Sequence, residues 1–130
     1  MTEDPSAVWA TLGGHAGLHR LVERFYDVME TAPEAATIRA MHPRSLAGSR
    51  ERLYGFLAFR LGGDPAYVEA RGHPRLRMRH MPFAIGAAEA QAWIDCMEVA
   101  LVETVADAHT REVLRAFFTQ VAHHMRNQAH

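Results

Sequence analysis

Apolar residues along this 130-residue chain recur at the three-and-four spacing of a helix face, and no stretch shows the strict alternation of a half-buried strand. That periodicity predicts an all-helical protein and removes sheet architectures from consideration. Asp4 before Pro5 reads as an N-cap with proline in the first helical position, opening a short helix that carries Trp9 and Leu12 until Gly13-Gly14. A longer helix follows, with Leu18, Leu21, Val22, Phe25, Tyr26 and Met29 on one face. Ala32-Pro33 interrupts it, a helical turn follows, and His42-Pro43 marks a corner. The third pattern runs from Leu46 to Leu61, with Leu46, Ser49, Leu53, Phe56, Leu57 and Arg60 as its stripe. Two further helices are expected, from Ala87 to Ala106 and from Arg111 to Asn127.

Between them, from Gly62 to Ile85, glycines, prolines and loop outweigh helix, apart from a very short helix opened by Pro74 and closed by Pro82. A long irregular stretch is tolerated when it is functional or wraps something. Repeats and interdomain linkers are lacking, so residues 1–130 read as one domain. An apolar run of about 20 residues, long enough to span a bilayer, does not occur. The first residues lack a signal-peptide pattern, and the single cysteine, Cys96, fits a reducing compartment. The expected location is cytoplasmic, with no membrane partner. On its amphipathic helix Cys96 is expected to be buried and inert.

The net charge is −1, which predicts no polyanion partner. Locally the balance differs: Arg71, His73, Arg75, Arg77, Arg79 and His80 fall together, with no acid between Glu69 and Glu89. A nucleic-acid face would need a broader basic surface than the rest of the chain supplies; a solvated charged surface is the plainer alternative. Of the nine histidines, His15 and His19 are four apart but lack a third ligand. His109, His123, His124 and His130 read as solvated. HExxH, paired CxxC and acidic loops are missing, which disfavours zinc, iron–sulfur and calcium sites. His80 differs, because arginines flank it and Pro82-Phe83-Ala84-Ile85 turns apolar behind it. Haem needs that combination, with cations for its propionates and an apolar wall beside the axial ligand.

The string Gly72-His73-Pro74-Arg75-Leu76-Arg77-Met78-Arg79-His80, followed by Pro82-Phe83, resembles the proximal segment of group II truncated haemoglobins. The likeness continues through Leu12-Gly13-Gly14, Phe25-Tyr26, Met41-His42-Pro43, Phe56-Leu57, Gly62-Gly63, Tyr67 and Ala92-Trp93-Ile94-Asp95-Cys96-Met97. The resemblance implies a truncated globin, two helices packed over two, holding haem b with His80 as the iron ligand. It places Tyr26 and Trp93 over the distal face, where a phenol and an indole N–H suit bound dioxygen. Helical spacing alone would make both of them core residues.

Two positions depart from the family's commonest pattern. His42 stands where tyrosine or phenylalanine is usual, and is either a further distal donor or a ring stacked at the haem rim. Ser49 replaces the distal histidine of ordinary globins. Leu53, Phe56, Phe83, Ile85 and Met97 are expected to line the apolar pocket. Arg52, Tyr67, Arg77 and Arg79 are the candidates for propionate contacts.

The function implied is binding of dioxygen and other diatomic ligands, such as nitric oxide and carbon monoxide, with slow oxygen release and no assigned catalytic residue. An alternative is a nitric oxide dioxygenase or a peroxidase-like enzyme acting on peroxide, which needs an external reductase because the chain has no flavin or nicotinamide motif. A helical interaction module without haem is a third reading. The assembly expected is a monomer or homodimer.

Overall fold

The computed structural model describes residues 3–129, and among them there is no strand. The helices are α1 (Trp9–Leu12), α2 (Gly14–Thr31), α3 (Ala36–Ala40), α4 (Ala47–Gly62), α5 (Ala66–Arg71), α6 (Leu76–His80), α7 (Ala87–Thr104) and α8 (Ala108–His124), with short 3₁₀ turns at Pro5–Val8 and Pro33–Ala35. Asp4 caps the first turn as expected, its carboxylate accepting the Ser6 N–H at 3.0 Å. Helix α2 packs on both α4 and α7, and α7 packs in turn on α8. The four long helices thus form the two-over-two sandwich of a truncated globin.

The apolar face read from α2 is the centre of the core: Leu18, Leu21, Val22 and Phe25 have no exposed surface. Leu57 and Leu61 of α4, Met97 and Leu101 of α7, and Leu114 and Phe118 of α8 close around them. Each such side chain contributes roughly 1.5–3 kcal/mol by leaving water. Gly17 is needed at the α1–α2 junction, because a Cβ there would lie 1.9 Å from the Leu12 carbonyl oxygen.

The expectation for residues 62–85 is corrected in part. Helix α5 forms inside the stretch read as mostly irregular. Its start repeats the signal at Asp4-Pro5: Asp64 precedes Pro65, and the Asp64 carboxylate accepts the Ala66 N–H at 3.0 Å. Tyr67 then packs against α4 at Gly55, where an added Cβ would come within 3.0 Å of the tyrosine ring. The end of the chain also shifts. Asp107 accepts the Thr110 N–H at 2.9 Å and so begins α8 at Ala108, three residues before the expected start.

Helix α8 also ends earlier than expected, at His124, and the residues after it do something else. The Asn127 carboxamide accepts the Ile85 N–H at 2.9 Å and donates to the Phe83 carbonyl at 2.7 Å, while the Asn127 backbone N–H donates to the Ile85 carbonyl at 2.8 Å. The C-terminal segment therefore clamps the loop that follows α6.

Candidate functional site

A cavity of about 410 Å³ opens between α4, α6, α7 and α8. Its walls are mostly apolar, with Leu53 and Phe56 from α4, Leu76 from α6, Phe83 and Ile85 from the following loop, and Phe117, Phe118 and Val121 from α8. Polar groups enter at few places: Tyr26, His42, Ser49, Arg52, Tyr67, Arg79, His80, Glu89 and Trp93. A concave apolar site with a few convergent polar groups is the ordinary form of a cofactor pocket.

Twelve of the residues named from the sequence line this cavity: Tyr26, His42, Ser49, Arg52, Leu53, Phe56, Tyr67, Arg79, His80, Phe83, Ile85 and Trp93. Two do not, and their placement is corrected. On α6, Leu76, Arg79 and His80 share one face by their three-and-four spacing, whereas Arg77 falls on the other side. Arg77 is exposed, with its guanidinium 3.5 Å from the Met81 sulfur. Met97 is fully buried in the core, one turn past Trp93. The wall contributed by α8, and the Asn127 clamp behind it, were not anticipated. The apolar stripe of α8 was visible in the sequence, but periodicity cannot distinguish a cavity wall from core.

His80 is the last residue of α6, and its Nδ1 lies 2.7 Å from the Leu76 carbonyl oxygen one turn back. A carbonyl only accepts, so Nδ1 carries the proton and donates. That bond selects the tautomer in which Nε2 carries the lone pair, the form in which imidazole binds a metal. Asn127 secures the same residue from behind, its carboxamide donating to the His80 carbonyl at 3.4 Å.

Helices α2, α3 and α7 also contribute to the lining. Tyr26 is almost wholly buried, and burial pushes its phenol up to about 12, so it remains a hydrogen-bond donor at neutral pH. The Arg50 guanidinium sits 5.7 Å from the centre of the Tyr26 ring. It is anchored there by the Glu23 carboxylate at 2.8 Å and by Asp27 at 2.9 Å, which ties α4 to α2 beside the tyrosine. Trp93 is held between Phe25 and Phe118, with ring centroids at 5.0 and 5.8 Å. Among the described residues, no hydrogen bond joins the Tyr26 hydroxyl or the Trp93 indole N–H to another protein group, and neither atom is sealed off: both residues line the cavity.

His42 is also part of this lining, its ring 6.0 Å from that of Tyr26. Its Nδ1–H donates to the Ile38 carbonyl at 2.8 Å. Burial lowers its pKa, with further contributions from nearby Arg39, His80 and Arg52. The neutral His42 ring thus offers Nε2 as an acceptor rather than a donor.

The remaining histidines stay apart from the cavity. His15 bonds the Tyr54 hydroxyl at 2.7 Å, His19 lies 3.8 Å from Glu23, and His109 lies 3.0 Å from Glu3. His130 lies outside the described residues. Among the described residues no group of three or more His, Cys, Asp or Glu side chains is arranged to hold a metal ion. Cys96 is buried, and burial pushes its thiol up to about 11, well away from the reactive thiolate form. No helix in the described residues is long and apolar enough to cross a membrane.

This donor set fits haem: one imidazole whose Nδ1 is taken by a carbonyl and whose other nitrogen is free, an apolar slot, and Arg52 and Arg79 among the lining residues. The comparisons with known proteins agree. The bacterial-like globin family model matches residues 7–127. The group 2 truncated hemoglobin YjbI of Bacillus subtilis is 36% identical over 115 residues, covering 88% of this chain and 85% of that protein. Among solved structures, the group II 2-on-2 hemoglobin of Agrobacterium tumefaciens superposes with a TM-score of 0.89 at 45% identity, covering 93% of this chain and 94% of that one. The cold-adapted truncated hemoglobin of Pseudoalteromonas haloplanktis also superposes with a TM-score of 0.89, at 40% identity, covering 97% and 99% of the two chains. The chain belongs to the bacterial-like globin family, as a truncated haemoglobin of the group II, 2-on-2 type.

Proposed function

We propose that this protein holds haem b in the cavity through His80 and binds dioxygen and other diatomic gases on the side of Tyr26 and Trp93, releasing oxygen slowly. The observation that carries the reading is the convergence of two features on one cavity: the His80 Nε2 left free by the Leu76 carbonyl, and two donors without protein partners. Haem, held there by His80, would supply an iron able to take up small gas molecules.

The protein's own contribution is orientation, shielding and hydrogen bonding. The Leu76 carbonyl fixes the tautomer and rotation of the His80 ring. Leu53, Phe56, Phe117 and Val121 keep water from the slot, while Arg52 and Arg79, with Tyr67 beside them, are suited to carboxylate substituents. Tyr26 and Trp93 donate to a ligand that carries negative charge. Ser49 is too short to stand in for a distal histidine, and His42 serves as an acceptor at the rim.

A hydrogen bond to a charged group is worth roughly 1.5–3 kcal/mol. At about 1.4 kcal/mol per factor of ten, each donor slows ligand escape by about one to two orders of magnitude. Slow release suits redox, scavenging or sensing roles better than transport.

The test is the visible absorption spectrum of purified protein when ferric, when reduced and after exposure to air. An intense haem band with a persistent oxy spectrum is the expected result. A colourless protein that stays spectrally silent after hemin addition would overturn the reading. Stopped-flow reaction of the oxy protein with nitric oxide, and its regeneration by added reductant, then separates turnover from binding.

A further inference from the structure

We infer that the outward face of residues 71–81 is a docking surface for a small acidic electron-transfer protein, which reduces the iron that His80 would hold. The inference rests on the haem reading above and concerns side chains which that reading leaves unused.

Arg71, Arg75 and Arg77 are exposed, and among the described residues none of them pairs with a carboxylate. Elsewhere Arg24, Arg39, Arg50, Arg60 and Arg115 each engage Glu or Asp, whereas this segment contains no acid with which its arginines could pair locally. The chain as a whole carries −1, so this concentration of unpaired cation is local. Met78 and Met81 sit among these arginines at 57% and 55% exposure, two of the most exposed large apolar side chains in the molecule. Methionine is an adaptable contact residue at such surfaces.

The backbone adds an independent observation. Arg75, the residue before α6, has φ 45° and ψ 48°, a left-handed conformation that glycine adopts freely and an L side chain adopts only at a steric cost. An exposed arginine occupies that position, and the strain is of the kind that gathers at functional surfaces.

Charge selects the partner. Three unpaired guanidinium groups around an apolar spot call for a rim of carboxylates around an apolar spot. Such complementarity steers encounter and suits the small, short-lived interfaces of electron-transfer proteins. Place selects the function, because the surface is the outer side of the helix that ends in His80 and the chain has no flavin or nicotinamide motif of its own. A membrane surface is disfavoured because α6 spans five residues, too few for an amphipathic helix lying in an interface. In the step itself the partner's centre gives up one electron and the iron passes from ferric to ferrous. No bond to the protein forms or breaks.

The probe is reduced plant-type [2Fe–2S] ferredoxin, an acidic one-electron donor, mixed with the haem-loaded protein in a stopped-flow instrument across a range of ionic strength. Replacing Arg71, Arg75 and Arg77 together by Glu should slow reduction about 10-fold or more at low salt and flatten its salt dependence. Arg20→Glu, on the exposed face of α2, should leave the rate unchanged. Dithionite should reduce every variant alike, which separates a docking defect from a damaged haem site. On the unaltered protein, backbone amide shifts induced by oxidised ferredoxin should concentrate in residues 71–83, a readout independent of electron flow. Equal rates in the triple variant and the parent, with shifts elsewhere, would overturn the inference. So would capture by phosphatidylserine vesicles without any ferredoxin-induced shift, which would assign the surface to anionic lipid. A colourless protein would fail the haem reading, whereas the shift map would still report on docking.

Discussion

The two sides of the cavity are built in different ways. The His80 side is one continuous segment, Leu76 to Ile85, whose histidine ring is oriented by a carbonyl four residues earlier and whose loop is clamped by Asn127. The Tyr26 side is assembled from distant parts of the chain, with Tyr26, Ser49 and Trp93 arriving from α2, α4 and α7 and His42 from the turn after α3. The burial differs to match. No residue of α6 is buried, whereas α2 is the core of the molecule. A local segment can be specified by short-range sequence and held by a few hydrogen bonds. A wall drawn from several helices is specified only by their packing, and any change to it is shared with the core.

The comparison breaks most sharply at His80. His80→Ala should weaken haem retention by more than the roughly 10–100-fold that loss of a ligand's hydrogen-bond partner costs, as followed by hemin titration. Haem held as before, with an unchanged proximal resonance Raman signature, would remove His80 from the ligand role. On the distal side, Trp93→Phe keeps most of the apolar volume between Phe25 and Phe118 and removes only the N–H. Oxygen release should quicken by about 10–100-fold, the equivalent of roughly 1.5–3 kcal/mol. An unaltered dissociation rate would show that the indole is packing alone.

A smaller effect tests the clamp. Asn127→Ala leaves the Ile85 N–H without its partner, at a cost of about 1–3 kcal/mol. The loss should appear in hydrogen exchange as faster opening of residues 83–86 while α2 amides keep their protection. Uniform loss of protection would show that the proximal loop is not the separate unit described here.

The smallest effect concerns His42, whose pKa burial lowers from the ordinary 6.5. Above that value the ring is neutral both folded and unfolded, so stability does not depend on it. As pH falls below about 6.5 the unfolded chain takes up the proton first, and the folded state loses stability until its own lower pKa is passed. His42→Phe should therefore reduce the drop in Tm between pH 7 and pH 5. An equal drop in the variant would locate the acid sensitivity elsewhere.

Much of this was legible from residue order because the governing physics is local. Helical periodicity marked the four long helices, Asp4-Pro5 announced the first turn, and the arginine-rich string ending at His80 singled out the proximal segment. The same local logic was available for α5, since Asp64-Pro65 repeats the Asp4-Pro5 signal, but the surrounding glycines and prolines outweighed it. Tyr26 and Trp93 were named through family likeness rather than spacing, which would have made both core residues.

The amino-acid sequence by itself determined an all-helical chain, a short helix with His80 near its end, and a basic stretch without acids around it. Tertiary structure alone decided which apolar residues became wall and which became core: Phe117 and Val121 joined the cavity while Met97 did not. It also set Arg79 at the cavity lining and left Arg77 out of it, recruited Asn127 from across the chain, and paired the His42 Nδ1–H with the Ile38 carbonyl. The reason is one of range. Periodicity records which side of a helix is apolar, but a cavity exists only where several helices fail to touch, and that depends on all of them at once.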